Sequence, residues 1–241
     1  MTTSKHQGRA LEGSILLVGT LNRHKLEEIS AALSDVAFPS GQPLRVVGTE
    51  RLPPGSPVEE TGGTLQENAA IKLESYARRA LRLPPEEKPL WVLADDSGLV
   101  VEALAGAPGA HSARYAGPSA TDEDNNRKLL QALKGIEPGR RGAKFVCVMA
   151  CVDLAEASRK SSPWACQGVE SFRPFIAQGE CQGEILTEEQ GQGGFGYDPL
   201  FFIPHLGKTM AQLSQKEKNE VSHRGHALKA LRGYLREGME V

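Results

Sequence analysis

Two aspartates stand side by side in Leu93-Ala-Asp-Asp-Ser-Gly-Leu-Val-Val101, between apolar runs. A carboxylate at the edge of an apolar core is costly unless a cation or a proton meets it, and a like charge beside it raises that cost. On an extended backbone Asp95 and Asp96 point to opposite faces, so they are expected to serve different partners. Three other stretches carry complementary chemistry. Gly19-Thr20-Leu21-Asn22-Arg23-His24-Lys25 joins a strand to a helix, where free backbone amides and a lysine suit a phosphate. Taken alone, it reads first as an ordinary strand-helix turn capped by Asn22. Glu59-Glu60-Thr-Gly-Gly offers a second acid pair, which could also be solvated loop acids. Asn68 and Lys72 come next, four residues apart on one helical face beside an apolar stripe. Gly193-Gly-Phe195-Gly196-Tyr197-Asp198-Pro supplies a ring face for a base, with Lys218 and Ser222-His223-Arg224 downstream. With Ser222 as cap, His223 and Arg224 occupy a first helical turn. Cations usually avoid that end, so an anion or a neighbouring acid is expected there.

The set amounts to acids for a divalent metal, cations for phosphates and an aromatic for a base. Mg²⁺ typically takes one or two carboxylates and completes its shell with phosphate oxygens and water. No Ser-His-Asp or Cys-His order stands out. A carboxylate activating water beside a metal remains a workable hydrolytic mechanism.

Three look-alike motifs fail on context. Gly191-Gln-Gly-Gly-Phe-Gly196 spells the dinucleotide fingerprint, but Pro199 and Phe201-Phe-Ile203 stand where a helix is required. Gly207-Lys-Thr209 lacks the upstream glycine of a P-loop, its place being Phe202. His223 and His226 sit one turn apart without the glutamate or third ligand of a zinc site.

The elements that must position these groups are set by periodicity. Ser14–Val18, Leu44–Val47, Trp91–Ala94, Ala143–Val152 and Phe201–Ile203 read as strands, with Phe172–Gln178 as an edge strand. Helices are expected from about Lys25 to Leu33, Thr64 to Leu83, Thr121 to Leu133 and Ser222 to Arg236. Asp96 and Ser97 are placed at the carboxyl end of their strand, where open α/β sheets bind ligands. The order argues for an α/β fold with a mixed sheet flanked by helices, in two lobes. Residues 1–12 read as a flexible tail, 13–241 as one two-lobed domain, and Glu156–Gln167 as a surface loop.

Composition sets the bounds. The 241 residues are 39% hydrophobic and 24% charged with a net charge of −2. That leaves no global field for nucleic acid or an anionic membrane. No run approaches the ~18 apolar residues of a membrane span. Cys147, Cys151, Cys166 and Cys181 form no C-x-x-C pair and do not make a disulfide scaffold, so a reducing cytoplasm is expected. Cys147 itself reads as a buried small hydrophobe.

From about Ser14 to Leu235 the sequence resembles the inosine triphosphate pyrophosphatase family. The resemblance rests on Thr20-Leu-Asn-Arg-His-Lys25, Glu59-Glu60-Thr-Gly, Glu67-Asn-Ala with Lys72, and Ala94-Asp-Asp-Ser-Gly-Leu99. It continues through Gly106-Ala-Pro-Gly109, Ser112-Ala-Arg-Tyr-Ala-Gly117, Phe145-Val-Cys147, Gly194-Phe-Gly-Tyr-Asp-Pro199 and Ser222-His-Arg224. It implies a two-lobed fold with a cleft between the lobes, acting as a cytoplasmic homodimer. The implied reaction is Mg²⁺-dependent cleavage of ITP, dITP and XTP to the monophosphate and pyrophosphate, which cleanses the nucleotide pool. By the same implication Asp96 activates water and binds Mg²⁺ with Glu59 and Glu60. Thr20, Leu21, Asn22, Arg23, His24, Lys25, Ser97 and Lys218 hold phosphates and ribose. Phe195, Gly196, Tyr197, Asp198, His223 and Arg224 frame the base, favouring a 6-keto purine. His111 and Gln212 depart from the family's usual residues, and Gln212 is left out of the site. A Maf-like enzyme of modified pyrimidine or methylated nucleotides is the alternative within the fold, against which Ser222-His-Arg224 argues. A non-catalytic nucleotide sensor is the alternative in another class; intact Asp95, Asp96 and Glu60 argue against it.

Overall fold

The computed structural model describes residues 14–157 and 174–240. The tail expected over 1–12 and Cys166 lie outside them. So does the loop expected over 156–167 apart from its first two residues, which close a short helix. One seven-stranded mixed sheet organises the chain. Strand β1 (Ile15–Val18) leads through a four-residue turn into helix α1 (Arg23–Ala32). Strand β2 (Arg45–Val47) then pairs parallel to β1. Helix α2 (Leu65–Ala80) starts at Thr64 with a reciprocal cap to Glu67 and precedes the long strand β3 (Trp91–Val101). Helix α3 (Asp122–Ala132), capped by Thr121, leads into β4 (Gly142–Asp153) and the short α4 (Leu154–Ala157). Strands β5 (Phe175–Ile185), β6 (Phe201–Ile203) and β7 (Lys208–Thr209) come next, then α5 (Gln215–Val221) and α6 (His223–Glu240). The strand order is β2-β1-β3-β4-β5-β6-β7, parallel between β2, β1 and β3 and antiparallel from β3 onward.

Two sequence expectations are corrected here. The strand expected as an edge over Phe172–Gln178 is β5, which runs on to Ile185 and pairs with β4 on one side and β6 on the other; residues 172 and 173 lie outside the described residues. The strand from Trp91 does not stop at Ala94; Asp95, Asp96 and Ser97 lie within β3 rather than at its carboxyl end. The twelve-residue β4 pairs with every residue of β3, Asp95 opposite Met149 and Asp96 opposite Val148, so the backbone keeps its partners straight through the acids. The parallel neighbour β1 is shorter. Its register ends with Val18 opposite Leu93, and the Gly19 amide makes a last bond to the Leu93 carbonyl. Beyond that point β3 has lost its neighbour on one edge. The opening therefore sits at the carboxyl end of β1, and the aspartates line up beside it.

The two faces of the sheet carry separate cores. Leu16, Val18, Leu93, Cys147 and Met149 pack with α1 and α6 through Ile29, Leu228 and Leu231. Leu17, Val92, Ala94, Val148 and Ala150 pack under α2 against Ala69, Leu73 and Tyr76. Asp95 continues the first set and Asp96 the second, as a two-residue period requires. A third core beneath α3 gathers Leu99, Leu129, Phe145, Tyr197 and Phe201. Cys147, Cys151 and Cys181 are buried free thiols.

Candidate active site

A cleft of about 320 Å³ opens where β1 ends, walled by the 19–25 turn, α2, mid-β3, the 195–198 turn and the start of α6. On the α2 side, Lys72 is the centre. Its ammonium lies 2.7 Å from Asp96 Oδ1 and 2.9 Å from Glu60 Oε1. The fully buried Asn68, one turn before it, donates to Asp96 Oδ2 at 3.3 Å and accepts from the Gly62 amide. Arg114 closes the far side of Glu60, reaching its Oε2 at 3.0 Å and its carbonyl at 3.1 Å. Burial alone would discharge Lys72, but Asp96, Asp95 and Glu60 together raise its pKa above the ordinary lysine value. Glu60, partly exposed and held by both Lys72 and Arg114, falls below the ordinary glutamate value despite its own desolvation. Asp96 goes the other way: its burial raises the pKa above the usual aspartate value, with Lys72 opposing.

The other face is built on Asp95, 1% exposed. Its Oδ2 meets Lys25 Nζ at 2.9 Å, the Ser97 hydroxyl at 3.2 Å and Arg224 at 3.5 Å. Burial would raise the Asp95 pKa, but Lys25, Arg224 and Lys72 outweigh it and hold the carboxyl well below the usual range. Asn22 caps α1 by accepting from the Lys25 amide, and Thr20 accepts from the Asn22 amide, which fixes the turn. Gly19 is required there, since a Cβ would stand 2.2 Å from the Tyr76 ring.

At the other end of the cleft Glu28 accepts from Arg224 and stands 3.8 Å from Lys218, which in turn donates to Asp198 at 2.6 Å. Asp198 Oδ2 also takes the Phe195 amide at 3.2 Å. Gly194 keeps φ at +77°, and a Cβ on it would collide with that same carboxylate. Two rings pair with the first turn of α6. His223 stacks on Phe145 at 4.8 Å, and the Arg224 guanidinium lies over Phe195 at 5.8 Å. Burial, and then Arg224 and Lys25, push the His223 pKa well below 6.5, so the imidazole is neutral. The acid expected near this cationic helix start is Glu28, with Asp95 behind it.

Of the residues singled out from sequence, Thr20, Leu21, Asn22, Lys25, Glu60, Asp96, Ser97, Phe195, Gly196, Tyr197, Asp198, Lys218, His223 and Arg224 line this cleft. Arg23 turns outward to Glu27 at 2.9 Å, and Glu59 is outside the lining. His24 stacks on Phe195 at 5.4 Å without lining the cleft itself. Leu21 sits at the rim, 73% exposed. Glu28, Phe145, Tyr76 and Asn125 line the cleft and were not given a site role. Glu28 carried a signal in its position one turn after Lys25; Phe145 entered only within the Phe145-Val-Cys147 stretch of the resemblance. The discarded motifs stay discarded. Residues 191–196 form a glycine turn with no helix after it, Lys208-Thr209 is strand β7, and His226 is exposed with Nδ1 against the Glu180 carbonyl. Gln212 accepts from the Thr209 amide and shapes its own turn, while His111 is exposed.

Among the described residues no cluster of three or more His, Cys, Asp or Glu side chains gathers for a metal. Glu60 and Asp96 do converge, since one ammonium reaches both at hydrogen-bonding distance. Two carboxylates around one cation, facing a cavity that could admit phosphate oxygens, fit the donor set of a hard divalent ion.

A family model described as the Ham1 family matches residues 16–234. The dITP/XTP pyrophosphatase of Caldanaerobacter subterraneus subsp. tengcongensis is 40% identical over 225 residues, spanning 93% of this chain and 98% of the relative. The Methylococcus capsulatus protein of the same name is 41% identical over 92% of this chain and 96% of its own length. Among solved structures, a HAM1 protein from Coxiella burnetii superposes with a TM-score of 0.72 at 36% identity, covering 92% of this chain and 98% of that one. The Staphylococcus aureus Ham1 protein gives 0.69 at 37% identity, covering 92% and 97%.

Proposed function

This chain belongs to the Ham1 family, and from that premise we propose that it hydrolyses noncanonical purine nucleoside triphosphates (ITP, dITP and XTP) to the monophosphate and pyrophosphate. The observation that carries the reading is a single cleft with an acid–lysine cluster at one side and a ring–cation pocket at the other. The triphosphate and ribose lie between Lys25, the capped start of α1, Lys72, Ser97 and Lys218; the base lies by Phe195, Gly196, Tyr197, Asp198, His223 and Arg224. In the reaction, water oxygen bonds to the α-phosphorus, the α–β bridging bond breaks, and pyrophosphate leaves with the electron pair. Asp96 takes the proton from the water. Before a metal binds, burial already raises its proton affinity, the direction in which a general base is tuned. Glu60 and Asp96 would hold the metal, Mg²⁺, which would neutralise phosphate charge and act as a Lewis acid when bound. Lys72 keeps Asp96 and Glu60 oriented; Asn68 fixes the rotation of the Asp96 carboxyl.

A 6-keto purine offers an acceptor to the Arg224 guanidinium, whose buried Nε has no partner in the protein. An adenine amine would leave that donor unpaired, which discriminates strongly. No helix among the described residues is long and apolar enough to cross a membrane. On the resemblance, the working form is a cytoplasmic homodimer of one two-lobed domain.

Incubation with Mg²⁺ and ITP, XTP, GTP, ATP or dTTP, with the products identified, tests the reading. Pyrophosphate and a monophosphate are expected from ITP and XTP. Orthophosphate release, or equal rates on ATP and ITP, would sink it.

A further inference from the structure

Asp95 is the one acid of the cluster to which the reaction gives no task. It does not line the cleft, and it is almost wholly buried. Its Oδ1 is buried with no hydrogen-bond partner, so its charge is met through Oδ2 alone. On that oxygen converge Lys25 from α1 at 2.9 Å and Arg224 from α6 at 3.5 Å. Ser97 reinforces the Arg224 side, its hydroxyl donating to Asp95 Oδ2 and accepting from Arg224 at 3.2 Å. The carboxylate itself is fixed in β3, paired in register with Met149. Lys25 and Arg224 are both cleft residues, one near the start of α1 and the other over Phe195. Two like charges drawn to one atom separate when that atom loses its charge.

We propose that Asp95 is a positioning residue: its single engaged oxygen tethers the phosphate-end Lys25 to the base-end Arg224 and sets their spacing for a nucleoside triphosphate. The tether rests on the function proposed for the cleft. A substrate spanning both ends gains from the preset spacing, because neither cation has to be ordered at the moment of binding. It also means that base recognition and phosphate placement depend on one buried charge that neither half of the substrate touches.

The test uses half-ligands and needs no turnover. Binding of inosine and of inorganic tripolyphosphate is measured separately by calorimetry, without metal, for wild type, Asp95→Asn, Lys25→Met and the double variant. Folding of each is checked by near-UV circular dichroism. Asp95→Asn should weaken both probes by about tenfold or more, the scale of one lost charge-assisted hydrogen bond. In the Lys25→Met background the same change should weaken inosine only, because the phosphate-end cation is already gone. A general structural role would weaken both probes in both backgrounds. Either probe binding to Asp95→Asn within about twofold of wild type overturns the tether. So does a tripolyphosphate loss that persists in the Lys25→Met background. If Asp95→Asn alone fails to fold, the double variant, which buries neither charge, is compared with Lys25→Met: weaker inosine binding supports the tether, and equal binding overturns it. Wild type that releases no pyrophosphate from ITP defeats the functional reading instead, which the half-ligand titrations distinguish.

Discussion

Replacing Asp96 by asparagine separates the chemical role of this residue from its structural one. The side chain keeps its shape and loses its charge. Asp96 Oδ1 takes Lys72 at 2.7 Å and Oδ2 takes Asn68 at 3.3 Å. In the variant Lys72 retains Glu60 at 2.9 Å, so no buried ammonium is stranded. Stranding one would cost about 3–5 kcal/mol. The raised pKa of Asp96 means that the folded state favours its proton relative to the unfolded chain, so at pH 7 the ionised form works against folding. A neutral isostere removes that penalty at the expense of one weakened charge-assisted bond. The two terms leave stability within about 1 kcal/mol of wild type, or roughly 2–4 °C in Tm for a chain of this size. Turnover should behave differently. Loss of a general base alone removes about 10²–10⁴ in rate, and a metal carboxylate goes with it, so kcat on ITP should fall by at least about 10³. The assay pairs pyrophosphate release with thermal unfolding of the same preparation. Turnover within about tenfold of wild type would show that Asp96 is not the base. A drop in Tm well beyond ~5 °C would show that the Asp96–Lys72 pair braces the fold.

The same geometry gives two further outcomes. Gly19→Ala places a methyl 2.2 Å from the buried Tyr76 ring, so it should cost about 1–3 kcal/mol in urea unfolding and raise KM through displacement of the phosphate turn; an unchanged midpoint would refute the close approach. His223 is buried neutral, its pKa held well below 6.5, so the unfolded chain binds the extra proton: this contribution is complete above pH ~6.5 and declines below it by up to about 1.4 kcal/mol per pH unit. Unfolding free energies from pH 8 to 5 should show that slope in wild type and lose it in His223→Gln; parallel curves would mean that His223 is reached by solvent and protonates freely.

Much of this was legible from the residues alone because the relevant physics is local. A period of two put Asp95 and Asp96 on opposite faces, and the sheet honours it, with Lys25 and Arg224 on one side and Lys72 and Asn68 on the other. The helix start at Thr121 came from cap chemistry within three residues, and the helix from Thr64 from its apolar spacing; the caps at Asn22 and Thr64 are seen in the structure. The glycine motif at 191–196 could be discarded because Pro199 and the apolar run Phe201-Phe-Ile203 leave no room for a helix after it. Tertiary structure decided what periodicity cannot carry. The length of β4, a strand distant in the chain from the aspartates, keeps β3 extended through them, while the short β1 opens the cleft beside them. Glu60 rather than Glu59 reaches the site because Lys72 and Arg114 hold its carboxylate from two distant segments. Glu28 becomes a site residue only when α6 delivers Arg224 to it from 196 positions away. Side-chain type and spacing fix which charges need a partner, since desolvation is a property of the group and its neighbours in the chain. Which partner arrives depends on chain closure, and that is set by packing of the whole sheet.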